Sequence, residues 1–402
     1  MKKIVQKFGG TSLDTKEKRE AAGECIKKAI NNNYKPVIVV SAMGRTGKPY
    51  ATDTLISKAR EIHPIINPRE KDLLMSCGEI ISAVIMVQFL EKIGINSIAL
   101  TGAQAGIITD NNFGEAEVLT VNPDKINKIL LEGKVPVIAG FQGVTEDGEI
   151  STLGRGGSDT TASIIAAAIN ALFIEIYTDV NGVMTADPKK VSSAKILEKI
   201  SYTEVCELAY QGARVIHPRA AEIAMNENIP IKVKSTFIKG VGTLIQKSAM
   251  RSVKRDKPVT GITSRNNIVF INIIPEKPIQ FNKYLDVFTV LAKEKISVDF
   301  INIRPEGISF IVDDKNKMKV DALLKKGAYI YNISEEFVKV SIVGGGMTGR
   351  PGVMAKLVNS LSKSGIEIHQ TTDSHTTISC LISKESEELA LNTLHSSFDL
   401  DS

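Results

Sequence analysis

Cysteine is scarce and scattered in this chain. Its 402 residues include four, Cys25, Cys77, Cys206 and Cys380, and no CxxC pair, so neither a zinc knuckle nor a thioredoxin-type redox motif is present. Four dispersed thiols in a chain of this length suit a reducing compartment rather than a disulfide scaffold. Long hydrophobic runs are missing as well. No uncharged apolar stretch reaches the ~18 residues of a membrane span. The opening "MKKIVQKFGGTS" has no apolar core of a signal peptide, so no membrane is expected and a cytoplasmic location is. Excess charge of one sign is small: 50 Lys and Arg against 45 Asp and Glu, a net +5. That excludes a strongly basic nucleic-acid binder, which would gather cations on one face, yet it permits a local site for a small anion. Histidine is rare, five in all, and none lies inside the two glycine-rich, cation-bearing turns described below.

What remains is ordinary globular material, 43% hydrophobic and 24% charged, in a chain long enough for about two to three domains. Over residues 1–246, short Val/Ile-rich runs ("KKIVQKF", "KPVIVVSAM", "NSIALTG", "VPVIAGFQGV", "FIEIYTDV", "IPIKVKST") alternate with helical patterns. That alternation predicts an α/β domain whose mostly parallel sheet is covered on both faces, with ligands at the carboxyl ends of the strands. Residues 247–258, with five basic residues and one acidic residue, read as a linker. Residues 259–402 show a tandem repeat with a period near 70: "VLAKEKISVDFIN" aligns with "SLSKSGIEIHQTT", and "GISFIVDDKNKMKVDALLKKG" with "TTISCLISKESEELALNTLHSS". Each copy reads as a small ferredoxin-like α+β module, about 262–330 and 335–402. The joint between copies is a natural ligand crevice; its plainer reading is a dimerisation appendage.

Two glycine turns in the first domain carry cations. "KFGGTS" follows the first strand; Gly9 and Gly10 let the backbone turn and present amides to an anion, Thr11 and Ser12 add hydroxyls, and Lys7 adds a mobile charge. "GRGGSDTTAS" repeats the logic with Arg155, whose planar fork suits a carboxylate or phosphate, and Ser158 or Asp159 as a helix cap. "YTDVNGVMTADPKK" sets Thr178, Asp179 and Asp187 at a strand end, suited to a nucleotide edge or a Mg²⁺ shell; local Asx turns would explain the aspartates equally. "YQGARVIHPRAA" offers Arg214 as a phosphate contact, preferred over His217. "SCGE" places Glu79 on a long apolar helix, where it could grip an ammonium group; a first-turn role toward the helix dipole is the plainer reading. "GRTGKP" (44–49) lacks the spacing of a Walker A loop and is set aside, and "VGGGMTGRPGV" reads as a glycine loop of the second small module. With no histidine base at hand, the motif set fits phosphoryl transfer to a carboxylate. Such a nucleophile is already ionised at neutral pH, and its obstacle is charge repulsion from the donor.

In chain order, "KFGGTS", "SCGE", "GRGGSDTTA", "TDVNGVMTADP" and "GARVIHPRA", with the tandem C-terminal repeat, resemble the aspartate kinases over essentially the whole chain. The family implies an amino-acid kinase α/β/α sandwich followed by two ACT modules, one often inserted in the other. By that resemblance Lys7 stabilises the transferring phosphoryl group, Asp159 organises the lysines, and Gly9, Gly10, Thr11 and Ser12 cradle phosphates. Glu79 takes the substrate amine and Arg155 its α-carboxylate. Ser41, Ser158 and Thr52, or Thr46 in its place, line the pocket. Thr178, Asp179, Asp187 and Arg214, where many members have lysine, lie on the nucleotide side. ATP is implied, with Mg²⁺ held mainly by its phosphates and no protein metal cage. Asp299, Asn302, Asp373, Ser374, His375 and Thr376 would line an effector site for lysine, threonine or diaminopimelate in a homodimer or higher oligomer. Sister kinases of glutamate, acetylglutamate or UMP, and a non-catalytic amino-acid sensor, are the competing readings.

Overall fold

The computed structural model describes residues 1–213, 215–238, 240–247, 257–274 and 281–401, with backbone alone at 281–284. They fall into two compact units. The linker expected over 247–258 lies mostly outside the described residues.

The first unit takes in residues 1–183, 196–209 and the described part of 214–252. Its elements in chain order are β1 (Lys3–Phe8), α1 (Lys16–Asn31), β2 (Lys35–Val40), α2 (Thr52–Ile62), α3 (Pro68–Lys92), β3 (Ser97–Leu100), β4 (Ile107–Thr109), β5 (Val118–Val121) and α4 (Asp124–Leu131). Then come β6 (Val135–Ala139), β7 (Gln142–Thr145), β8 (Ile150–Thr152), α5 (Gly157–Ala168), β9 (Ile174–Thr178), β10 (Lys199–Ser201), α6 (Tyr202–Tyr210), α7 (Pro218–Asn226), β11 (Ile231–Ser235) and β12 (Thr243–Gln246). Eight strands form one sheet in the order β10-β12-β11-β9-β1-β2-β6-β3, and β5-β4-β7-β8 form a small second sheet. Every pairing from β11 through to β3 is parallel; only β12 runs antiparallel to β11.

Parallel strands buried on both faces read as continuous apolar runs, and β2 (KPVIVV) and β6 (VPVIA) do. Alternation along β1 sends Phe8 into a core shared with Leu13, Ile26, Val40, Met86 and Leu90 from the α1–α3 side. Lys7, one residue earlier, faces the other way, toward α5, which packs on β1, β2 and β9. Because β2 and β9 flank β1 in register, with Phe8 opposite both Val40 and Tyr177, three loops leave the sheet side by side. The sheet order switches direction there, the place where open α/β sheets bind ligands. Among the described residues one helix, α3, is long and apolar enough to cross a membrane by length and composition; it contributes buried Asp72, Ser76, Glu79 and Ser82 to the fold.

The second unit comprises Met184–Lys195, Tyr210–Ala213 and the described residues from 257 on. Its elements are β13 (Gly261–Arg265), β14 (Ile268–Ile273), α8 (Phe281–Lys293), β15 (Asp299–Arg304), β16 (Gly307–Asp313), α9 (Lys317–Lys326), β17 (Tyr331–Ser334), β18 (Phe337–Val343), α10 (Val353–Lys363), β19 (Gln370–Asp373), β20 (Thr377–Ser383) and α11 (Glu387–Ser397). The repeat is visible in register: β16, its following 3₁₀ turn and α9 begin at 307, 314 and 317, and their counterparts begin at 377, 384 and 387. The two antiparallel sheets are β15-β16-β14-β17 and β13-β18-β20-β19. The strand missing from each repeat is thus supplied differently. β17 closes the first sheet in sequence order, whereas β13, preceding the first module, pairs with β18 of the second. The modules are interleaved.

Residues 184–195, which read as part of the nucleotide-side loop, belong to this second unit. Ala186 and Val191 enter its core with Ile342, Leu357, Leu391 and Leu394. Lys190 pairs with Glu387 at 2.6 Å. The imidazole of His395 is fully buried, with Nε2 2.8 Å from Thr185 Oγ1 and Nδ1 3.2 Å from Ser193 Oγ. Burial pushes its pKa below the usual histidine value. A base with a depressed folded-state pKa contributes stability that is fully present above the unfolded value near 6.5 and lost as pH falls below it. The thermal midpoint of the second unit therefore drops between pH 7 and pH 5, and His395→Gln flattens that drop. A calorimetric profile as steep in the variant as in the parent refutes the assignment.

Candidate active site

The turn after β1 runs Gly9, then a 3₁₀ turn over Gly10–Ser12. A side chain at residue 10 would place its Cβ 2.1 Å from the carbonyl oxygen of Ala42, so only glycine lets the β1 and β2 loops approach this closely. Across β1, Gly154 and Gly156 hold left-handed conformations, φ +73° and +71°, and α5 begins at Gly157. No side chain caps α5, whose N-cap is Gly156. Ser158 and Asp159, expected as caps, sit inside the first turn instead. The Gly157 amide donates to the Gly154 carbonyl at 3.0 Å; the other first-turn amides of this buried 12-residue helix have no side-chain cap and keep capacity for an anion.

Lys7 Nζ lies 2.7 Å from Asp159 Oδ1, both side chains largely sheltered from solvent. This joins the β1 turn to the α5 turn. The cavity beside them, about 280 Å³, is lined by Lys7, Arg155, Ser158, Asp159, Ser41 and Glu79 among others. An adjoining cavity of about 380 Å³ shares Ser41, Thr52 and Glu79 and adds Gly10, Thr11, Arg45 and Thr46. Thr52 and Thr46 thus both face the cleft; Thr46 Oγ1 donates to Asp53 at 3.0 Å. Ser12 is buried away from it, accepting from Thr236 at 2.9 Å.

Glu79 is almost wholly buried. Its Oε1 accepts one backbone hydrogen bond, from Ala42 at 3.1 Å, and among the described residues Oε2 has no partner. Burial without compensation pushes its pKa up to about 8. An unpartnered buried carboxyl facing a cleft beside exposed Arg155 is a place for a ligand that brings its own positive charge.

The loop set aside by motif spacing, 44–49, enters the cleft. Arg45 reaches across to Asp179 at 2.9 Å, tying the β2 loop to the β9 loop. The sequence signal for it is its place after β2, the parallel neighbour of β1. Thr178 Oγ1 donates to Asp179. Asp187 lies in the second unit, its carboxylate accepting from the Lys189 amide. Arg214 lies outside the described residues. His217 stands against the α5 turn, where a Cβ on Gly156 would meet its ring at 2.2 Å. Burial lowers its pKa, and its Nδ1 is buried without a partner among the described residues.

The expected effector residues are placed in the second unit. Asp299 ends up between Lys339 Nζ, 2.7 Å away and itself buried, and Arg265 at 3.4 Å. Burial works to raise its pKa, but these cations hold it below the ordinary value. Asn302 follows a bulge in β15 at which Phe300 adopts φ +57°. Asp373, Ser374, His375 and Thr376 form the β19–β20 turn. There Ser374 Oγ accepts from the amides of Thr376 and Thr377, and the His375 carbonyl accepts from Thr348. Gln370 links the modules by hydrogen bonds with Ser309 and the Phe300 carbonyl.

The chain matches the amino acid kinase family over residues 2–235 and an ACT domain over 332–396. It is 45% identical over its full length, and that of the relative, to aspartokinase 1 of Bacillus subtilis. This chain belongs to the aspartokinase family. The aspartokinase of Thermus thermophilus is 38% identical over 99% of both chains. Among solved structures, the aspartate kinase of Clostridium acetobutylicum superposes with a TM-score of 0.78 at 26% identity, covering 98% of this chain and all of that one. Escherichia coli aspartokinase III, solved with aspartate and ADP, has the same fold, with a TM-score of 0.78 at 23% identity over 98% and 99% of the two chains. An aspartokinase uses a nucleotide, and the glycine turns and the open α5 terminus suit its phosphates.

Proposed function

We propose that this aspartokinase transfers the γ-phosphoryl group of ATP to the side-chain carboxylate of L-aspartate. A carboxylate oxygen forms the new bond to phosphorus, the bond to the β–γ bridging oxygen breaks, and ADP leaves with that electron pair. The observation that carries the reading is the Lys7–Asp159 pair at 2.7 Å in the cleft that also holds Glu79 and Arg155. Lys7 meets the charge that develops on the transferring group; Asp159 keeps its ammonium aimed there. Gly9, Gly10, Thr11 and the α5 amides receive phosphate oxygens. Glu79 takes the substrate ammonium and Arg155 its α-carboxylate, with Ser41, Thr52 and Ser158 around them. Thr178, Asp179, Asp187 and Arg214 are assigned to the nucleotide side, and Ser12 supports the turn from beneath. Mg²⁺ arrives on the ATP phosphates. The enzyme works in the cytoplasm as a homodimer or higher oligomer, restrained by an end-product amino acid bound at the ACT modules.

Hydroxylamine trapping tests this. ATP–Mg²⁺ and L-aspartate yield a hydroxamate, L-glutamate and UMP yield none, and one of lysine, threonine or diaminopimelate suppresses the aspartate signal. Aspartate-independent ATP turnover, or hydroxamate from glutamate, overturns the substrate assignment.

Arg45 gives a further prediction. An exposed ion pair contributes little to stability, within about 1 kcal/mol, so Arg45→Ala leaves the melting temperature unchanged. Phosphates entering the cleft compete with Asp179 for its fork, so the variant raises KM for ATP about five- to tenfold with a smaller change in KM for aspartate. An aspartate-only effect would place Arg45 on the substrate side.

A further inference from the structure

The largest cavity described in the first unit is not the catalytic cleft. A space of about 760 Å³, sharing no residue with the two catalytic cavities, opens between α1 and the strands β9 and β11. Its origin is legible in β11. "IKVKS" alternates buried Ile231 and Val233 with half-buried Lys232 and Lys234. Strands of a mostly parallel sheet are ordinarily apolar on both faces; this one presents ammonium groups to a face that also carries Glu175 and Tyr177.

The charges on that face are unequally satisfied. Glu175 is held at both oxygens, by Lys234 at 2.6 Å and by Gln6 and Tyr177 at 2.8 and 3.0 Å. Although burial alone would raise its pKa, Lys234 holds it low and the group ionised. Lys234 is therefore neutralised. Lys232 is not: its Nζ lies 3.6 Å from the centroid of the Phe173 ring, and among the described residues neither it nor Lys28 at the α1 rim has a carboxylate at ion-pair distance. A half-buried ammonium resting on an aromatic face is only partly compensated for lost water, and burial pulls its pKa below the usual lysine value. Tyr34 packs edge-on against Phe173 with centroids 5.3 Å apart, and Phe237 and Ile238, 44% and 56% exposed, stand in the loop beyond β11. Ring surfaces and unneutralised cations therefore line one space of ligand size.

We propose that this cavity is a second small-molecule site, separate from the catalytic cleft, that binds an aromatic monoanion. The ring lies against Phe173 and Tyr34, and the anionic group meets Lys232 and Lys28. Charge supports a single negative group: three lysines against Glu24 and Glu175 leave one positive charge in the lining.

The test uses the full-length protein with its catalytic cleft occupied by ADP–Mg²⁺ and aspartate, and 8-anilino-1-naphthalenesulfonate as probe. Saturable fluorescence enhancement at one probe per chain is expected, undiminished by ADP–Mg²⁺ and aspartate. Neutral 1-anilinonaphthalene binds the parent protein at least tenfold more weakly. Lys28→Gln/Lys232→Gln weakens sulfonate binding at least tenfold, and Lys28→Arg/Lys232→Arg restores it. Both double variants keep the parent's hydroxamate formation, which serves as the folding control. Absence of saturable binding, displacement by the catalytic ligands, or equal affinity for the neutral and anionic probes overturns the proposal. The two-probe comparison needs no variant, so it decides even if the glutamine protein fails to fold.

Discussion

Lys7→Ala lowers kcat by about a thousandfold, equivalent to about 4 kcal/mol of transition-state stabilisation, while KM for aspartate stays within about threefold. The argument is positional. Period-two alternation in β1 aims Lys7 at α5, and Asp159 in the first turn of α5 fixes its ammonium at 2.7 Å. Phosphoryl transfer to a carboxylate brings two anionic groups together, and a preorganised cation that meets the developing charge is the largest single contribution side chains can make. Asp159 acts through Lys7, so Asp159→Asn costs less, about a hundredfold. Because the two act as one unit, the double variant is no slower than Lys7→Ala alone. Lys7→Arg recovers less than a tenth of the rate, since a planar guanidinium cannot reproduce a point charge at the same reach. Steady-state rates from the hydroxamate assay decide it. A double variant whose losses multiply would mean that Lys7 and Asp159 serve separate steps, and more than a tenth of parental kcat in Lys7→Ala would remove the lysine from the chemistry.

Residues whose role is local are legible in the sequence. Gly9, Gly10, Gly154 and Gly156 announce sharp turns by their identity, and the Val/Ile runs around them announce the strands that carry those turns. The 70-residue repeat was visible because both copies keep the same alternation and the same helix start. What escaped depends on pairing between distant segments. Nothing in "GITSR" says that β13 joins the sheet of the second module rather than the first. The stretch after Asp179 reads as one loop, yet Ala186 and Val191 are core residues of the other unit, a choice made by distant hydrophobic surface such as Val259, Ile342, Leu357 and Leu391. Walker A spacing says nothing of Arg45; the strand it follows does. The family resemblance sets Asp299 among the effector residues; its place between Lys339 and Arg265 depends on strand pairing that no local motif encodes. Ser12 resembled the hydroxyls beside it, and only burial separates it from Thr11.

Glu79→Gln raises KM for aspartate at least a hundredfold, about 2.7 kcal/mol, and leaves kcat much less affected. The reason lies in an unfavourable free state. Glu79 has one backbone donor, a bare second oxygen and almost no water, so its pKa in the free enzyme is about 8 against an ordinary 4.5. That displacement corresponds to a penalty on the ionised form on the order of 5 kcal/mol. Near neutral pH the free site therefore holds a neutral acid. An arriving ammonium group supplies the missing counter-charge and pulls the pKa back down, so binding expels a proton. Calorimetry at pH 7 in buffers of different ionisation enthalpy should count up to one proton released per aspartate bound, and none in the glutamine variant. Apparent KM for aspartate falls roughly tenfold per unit as pH rises from 6 toward 8, then levels. Stability runs in the opposite direction. An acid with a raised folded-state pKa contributes stability that is complete below the unfolded value near 4.5 and is lost as pH climbs through about 8, so the ligand-free enzyme melts at lower temperature at pH 9 than at pH 7. Glu79→Gln, neutral throughout, flattens that slope and is the more stable protein at pH 9. Weaker substrate binding together with greater alkaline stability is the signature of a carboxylate kept in the cleft for its ligand. A variant that loses both, or a KM indifferent to pH between 6 and 8, would assign the substrate amine to another group.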